Sequence, residues 1–330
     1  MGKRARHGIG HAPLHRRRSA HFLAFAGILL ASCATPNPLE TTTQSLLREL
    51  VARTGSTEYA VVPFDVDAEA VERARTLVGH AESRARRLAN LLGDPEGFAL
   101  RYEWAKTGTA SDTLAHGGGN CLALSSVLIG LARGLGLEAR YLLVRLPQLE
   151  PRLDGNLAVY ADHVAAVIWE GGERIYVDYS GELANAMHVR TISDVAATAH
   201  LFTNRGYERI YRASQDQSEV PWERVSHDFE LATRVLPRYA WGWNNLGVAR
   251  ARLGDDDGAR AAYERAISID KHLASAHVNL VALFLRTNAL RDAETHLEHA
   301  ARLNPRHSLL GTLREALEAA QRDEAQRRKL

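Results

Sequence analysis

Hydrophobic positions along this chain change period twice. From Ser45 to about Leu92 they recur at helical spacing, with Leu46, Leu47 and Leu50 on one face and then Val71, Ala74, Leu77 and Val78. Cys121–Arg133 (CLALSSVLIGLAR) is apolar nearly all round and runs into Gly134 and Gly136, which predicts a buried helix with a glycine stop. The period then shortens. Glu138–Leu146, His163–Trp169 and Arg174–Tyr179 read as strands, and Glu170-Gly171-Gly172-Glu173 between the last two is a tight hairpin signal. Thr107–Asn120, with glycines at 117, 118 and 119, reads as a loop. It lacks the Lys-Ser/Thr ending of a phosphate-binding loop, so no nucleotide site is expected there.

After residue 198 the helical period returns and repeats itself. A shift of 34 residues superposes Leu246 on Leu280, Ala259 on Ala293, Tyr263 on Leu297, Ala266 on Ala300 and Lys271 on Pro305. With Trp243-x-x-Leu246-Gly247 opening the unit, this resembles the tetratricopeptide (TPR) repeat. Arg250 stands where that pattern usually has Tyr, and Lys271 where it has Pro. Phe229, Ala232 and Pro237 fit an earlier unit, whose first helix is expected near Leu201–Arg212, with Ala213–Val220 lengthening the loop between its helices. Three units would span 199–308, and 309–330 reads as a capping helix. A stack of this kind has a concave face suited to a protein or peptide partner.

Composition changes the picture mainly at the N-terminus. The 330 residues carry 41 Lys+Arg against 39 Asp+Glu, a balance that argues against a nucleic-acid-coating protein. Arg84-Ala85-Arg86-Arg87 has Glu82 beside it and no interleaved aromatics, so it reads as a solvated helix face. Residues 1–20 hold Lys3, Arg4, Arg6, Arg16, Arg17 and Arg18, and the apolar run Phe22–Ala31 follows. That is a secretory signal, too short in its apolar part to span a bilayer. Leu30-Ala31-Ser32-Cys33 resembles the bacterial lipobox. The resemblance implies that 1–32 are removed and that Cys33 carries the lipid anchor. Ala34 in place of Asp then points to the outer membrane, with the chain facing the periplasm of the cell envelope. Residues 33–44 are expected to be a flexible tether. Loss of the signal removes six basic residues and no acids, so the net charge falls from +2 to −4.

Only two cysteines are present, Cys33 and Cys121, which leaves no disulfide framework and no Cys-rich zinc site. Cys121 opens its helix behind the glycines. A thiolate there meets the positive end of the helix dipole and free backbone N–H groups, which could also bind an oxyanion. The three glycines leave room for an extended substrate backbone to approach. Across the Gly171-Gly172 hairpin, paired positions sum to 343, so Ser180 lies opposite His163 and Asp178 is the histidine's diagonal neighbour. Asp162 points to the other face. Cys121, His163 and Asp178 therefore form a nucleophile, base and orienting acid. Asn120 is a candidate side-chain oxyanion donor or, equally, a turn residue.

Gly119-Asn120-Cys121-Leu122-Ala123-Leu124 and Leu131–Arg140 (LARGLGLEAR), followed by Asp162-His163-Val164 and Tyr176-Val177-Asp178, resemble the core of the transglutaminase-like superfamily. The resemblance covers roughly Asp65 to Thr198. It implies an α+β papain-like core over 45–198, followed by the all-α TPR array, with Cys121 as nucleophile, His163 as base and Asp178 as orienter. The family includes acyltransferases, peptidases, amidases and inactive members. The expectation is a membrane-anchored thiol acyl-transfer enzyme without cofactor or metal. The rival is a non-catalytic assembly lipoprotein in which the same domain only binds.

Overall fold

The computed structural model describes residues 38–145, 152–154, 157–159 and 163–328. The signal, Cys33, Asp162 and the start of the tether lie outside them. The tether ends early. Residues 38–44 are the first turns of helix α1 (Pro38–Thr54), which Pro38 opens at a position where no N–H is needed. Leu39, Leu46 and Leu50, seven and eleven residues apart, form one buried stripe. A threonine run that looks like linker is thus the outer face of a docked helix.

Helices α2 (Ala68–Val78) and α3 (Arg84–Leu91) are capped by Asp67 and Ser83. The arginines of α3 are paired as well as solvated. Arg84 meets Glu170 at 3.4 Å and Arg86 meets Glu173 at 3.0 Å, both at the hairpin turn. Strand β1 (Arg101–Tyr102) comes next. Within the expected loop 107–120 a short helix α4 (Ala110–His116) forms under a Thr109–Asp112 capping box. Strand β2 (Gly118–Gly119) then pairs in parallel with β1. Helix α5 (Cys121–Gly134) is buried from Cys121 to Ala132, as its all-round apolarity requires.

Helix α5 packs on an antiparallel sheet of order β7-β6-β3-β8. Its strands are β3 (Glu138–Arg145), β6 (His163–Glu170), β7 (Glu173–Val177) and β8 (His188–Ile192). Strands β4 (Arg152–Asp154) and β5 (Leu157–Val159) form a separate small hairpin between β3 and β6. Alternation along the main sheet divides two cores. Ala139, Tyr141, Val164, Ala166 and Ile168 face α5, and Leu142, Val144, Ala165 and Val167 face Leu183, Ala186 and Val189. Arg133, at the end of α5, holds Asp194 with two bonds of 2.9 Å and donates to the Ala139 carbonyl. It therefore ties the end of α5 to both the sheet and the helix that follows.

That helix, α6 (Asp194–Asp216), crosses the expected boundary at 198/199 without a break. Its pair is α7 (Trp222–Val235), followed by α8 (Ala240–Arg252) with α9 (Asp256–Ile269), α10 (Ala274–Arg286) with α11 (Leu290–Leu303), and the terminal α12 (Leu310–Arg327). Positions matched by the 34-residue shift are buried in both copies, from Leu246 and Leu280 to Ala266 and Ala300. A Cβ on Gly247 would meet the Tyr263 ring at 2.5 Å, and one on Gly206 would meet Phe229 at 2.6 Å. The first unit thus repeats the second's helix crossing. It differs by seven extra residues, of which five lengthen α6 and two the loop, since Ala213–Asp216 are helical and Gln217 closes the helix at φ +52°.

Candidate active site

The hairpin register is the one the two glycines dictate. Gly171 and Gly172 both have positive φ, the requirement of the tight turn that matches strand twist, and Ala166 pairs with Val177 and Glu170 with Glu173. His163 therefore starts β6 beside Asp178, which lies one residue past the end of β7. His163 Nε2 and Asp178 Oδ1 are 3.0 Å apart, with side chains only 10% and 4% exposed. A carboxylate accepts and never donates, so Nε2 carries the proton and Nδ1 is the nitrogen left for the thiol. Cys121 acts on the same imidazole and raises its pKa. Cys121 itself is buried, 9% exposed, at the first position of α5.

Burial disfavours the imidazolium, but the hydrogen bonds to Asp178 and Cys121 and the charges of both outweigh it, and the His163 pKa rises to about 10. Burial likewise opposes the Asp178 carboxylate. The His163 hydrogen bond and charge, with the backbone N–H groups of Ser180 and Leu183, reverse that and hold its pKa below the usual range. The site therefore favours a negative carboxylate and a positive imidazole.

Ser180 completes the arrangement. Its hydroxyl donates to Asp178 Oδ1 at 2.8 Å and lies 3.2 Å from His163 Nε2, and its N–H donates to the same carboxylate oxygen at 3.1 Å. Leu183 N–H donates to Oδ2 at 2.7 Å. The register put Ser180 opposite His163, yet a serine past a strand end carries no signal of its own, and Leu183 acts through its backbone alone.

Two sequence expectations gain detail here. Asn120 is the cap of α5, which is the turn role the sequence offered for it: its Oδ1 accepts from Ala123 N–H at 3.0 Å and its Nδ2 donates to Thr107 Oγ1 at 2.8 Å, which uses one of the two amide hydrogens. With Leu124 N–H closing on the Asn120 carbonyl, the donors that helix geometry leaves over are the Cys121 and Leu122 N–H groups. Two of the three glycines do not hold room for substrate, whereas a Cβ at Gly117, at φ +71°, would meet nothing within 4 Å. A Cβ at Gly118 would meet the Arg101 carbonyl at 2.6 Å, and one at Gly119 would meet Ala123 Cβ at 2.6 Å. The space they leave is filled by this chain's own segment 101–106 and by α5. Beside that segment runs a cleft of about 440 Å³, lined by Glu103, Trp104, Lys106, Tyr211 and Arg212. Among the described residues, no group of three or more metal-ligating side chains is assembled.

Residues 69–179 match the family model of the transglutaminase-like superfamily, and residues 240–273 match that of the tetratricopeptide repeat. The chain thus carries a transglutaminase-like domain followed by a TPR region. A heat-shock protein cognate co-chaperone, sgt12 of Aspergillus fumigatus, is 39% identical over 59 residues, which are 18% of this chain and 17% of that protein. Among solved structures, the first TPR of Spaghetti (RPAP3) bound to an HSP90 peptide aligns at 16% identity and TM-score 0.33. The alignment covers 37% of this chain and 91% of that one. The Arabidopsis OM64 TPR domain aligns at 16% identity and TM-score 0.34, covering 38% and 98%.

Proposed function

We propose that this is a lipid-anchored thiol acyl-transfer enzyme of the bacterial cell envelope, most simply a peptide or amide hydrolase, whose TPR region recruits a protein partner or substrate. The observation that carries the reading is the buried His163, hydrogen-bonded to Asp178 through Nε2 at 3.0 Å, with its pKa raised by that carboxylate and by Cys121. The Cys121 thiolate attacks the amide carbonyl carbon, and the oxyanion is held at the α5 N-terminus by the Cys121 N–H. The C–N bond breaks as His163 gives its Nδ1 proton to the departing amine, leaving a thioester on Cys121. Water, or an amine, then attacks the thioester carbonyl. His163 takes the attacker's proton and the C–S bond breaks, restoring the thiolate–imidazolium pair. Asp178 keeps the ring in one tautomer throughout.

The burial of Cys121 favours the rival reading, a scaffold whose domain only binds. Alkylation separates the two. On the enzyme reading, iodoacetamide labels Cys121 in the folded chain faster at pH 7 than it labels an unperturbed thiol such as glutathione. Cys121→Ala then loses the cellular phenotype while Cys121 wild type keeps it. Labelling no faster than glutathione, together with a phenotype intact in Cys121→Ala, overturns the enzyme.

A further inference from the structure

The hairpin between β3 and β6 has no place in the main sheet. Strands β4 and β5 pair only with each other, Arg152 with Val159 and Asp154 with Leu157, in a sheet of two. An isolated two-stranded hairpin is marginal in water, so this one needs a surface to lie on. It has one. Strand β5 lies against α8 and α10, which sit more than 80 residues further along the chain. These two helices are the first helices of successive repeats, and in a stack of helical pairs the first helices line the inner, concave face.

The same two helices carry the polar groups that an extended backbone needs. Asn244, Asn245 and Asn279 are 0% exposed and Ser275 is 3% exposed. Asn245 and Asn279 are 34 residues apart, so each repeat places the same amide at the same position. The Asn279 amide also bridges the helices, donating to Asn244 Oδ1 at 2.9 Å. Buried carboxamides must have their donors and acceptors used, and a strand laid across two repeats offers N–H and C=O groups at regular steps.

We infer that the concave face of the TPR region is occupied in cis by β5, acting as a strand-shaped self-ligand, and that a partner's extended peptide binds there by displacing it. Because β5 belongs to the same chain as the groove, its effective concentration there is of the order of millimolar, so a free peptide competes against a strong local rival. Resting on the thiol reading above, a further consequence follows. Val159 is four residues before His163, a reach of at most about 14 Å, so removing β5 from the groove acts directly on the strand that presents the base.

The test uses the full chain with Cys121→Ala, so that binding is read apart from catalysis. In one version residues 152–159 are replaced by a Gly/Ser run of equal length. The probe is a synthetic peptide of residues 150–161, followed by fluorescence anisotropy. The replaced chain is expected to bind it at least tenfold more tightly than the intact chain. Equal affinity for both, or no binding by a replaced chain with unchanged circular dichroism and melting, overturns the proposal. A second measurement needs no folding of the replaced chain. A photo-crosslinking amino acid at position 158 of the otherwise intact protein should give intramolecular products mapping to α8 or α10, and products elsewhere overturn the assignment. If Cys121 in the wild-type chain proves no more reactive than glutathione, the enzyme reading falls while both binding results stand.

Discussion

Asp178 accepts from four donors: His163 Nε2, the Ser180 hydroxyl, the Ser180 N–H and the Leu183 N–H. Three of these are independent of the histidine, so the carboxylate is fixed before the imidazole uses it. That order gives the residue-scale prediction its sign. The His163 pKa in the folded chain stands near 10, above its unfolded value of about 6.5. The folded state therefore holds the proton more tightly, and this contribution is fully present below pH 6.5 and lost as pH rises towards 10. The melting temperature of the wild type should fall across that window, and His163→Gln should lack the slope. Asp178→Asn should move the loss of the charged ring to lower pH, since the amide oxygen can still accept from Nε2–H but the negative charge facing the imidazolium is gone. Iodoacetamide labelling of Cys121 at pH 7 should then drop at least tenfold. Parallel wild-type and His163→Gln melting curves from pH 6 to 10 would remove His163 as the site's proton carrier.

At the scale of elements, what could be read in advance was whatever one local rule decides. The all-round apolarity of α5 predicts a helix inside a core, the Gly171-Gly172 turn predicts the register that brings His163 to Asp178, and the 34-residue period predicts that Leu246 and Leu280 take matching places in successive units. The misses lie where tertiary contact overrides local pattern. Strand β8 is an edge strand with Ile192 as its one buried residue, so it shows no alternation. Helix α4 depends on a capping box inside a stretch whose glycines signal a loop. The division at 198/199 fails because Thr198, Ala199 and Leu201 lie in mid-helix, and Thr198 is as buried as its neighbours. Leu201, Phe202, Leu231 and Val235 share one core with Leu50 of α1 and Leu128 of α5. At about 1.5–3 kcal/mol each, four such side chains are worth about 6–12 kcal/mol, the size of a whole domain's net stability. A fragment 38–198 should therefore be unfolded or aggregated, and a fragment 38–239, which restores α6 and α7, should melt cooperatively. Circular dichroism melts of the two decide it. A folded 38–198 with a wild-type-like transition would show that the transglutaminase-like domain is self-sufficient after all.

For the whole molecule, the correction at α1 changes what an anchor on Cys33 would do. Pro38 already belongs to the folded body, so four residues separate it from Cys33, a span of at most about 18 Å plus the anchor itself. A protein held this closely is confined against the headgroups and cannot search the periplasm on a long stem. Partners would have to reach it, which suits a displaceable groove better than a roaming enzyme. Among the described residues no helix is long and apolar enough to cross a bilayer. With residues 1–32 removed as proposed, the net charge of −4 would repel anionic lipid rather than attract it. On the proposed anchoring, membrane attachment would rest on one sulfur, and its loss should be all or none: Cys33→Ser should move the protein entirely to the soluble fraction at physiological salt, where the wild type stays in the membrane pellet until detergent is added. A Cys33→Ser protein that still pellets and resists high salt would mean that the lipid is not what holds it, and the close-confinement argument would fall with the anchor.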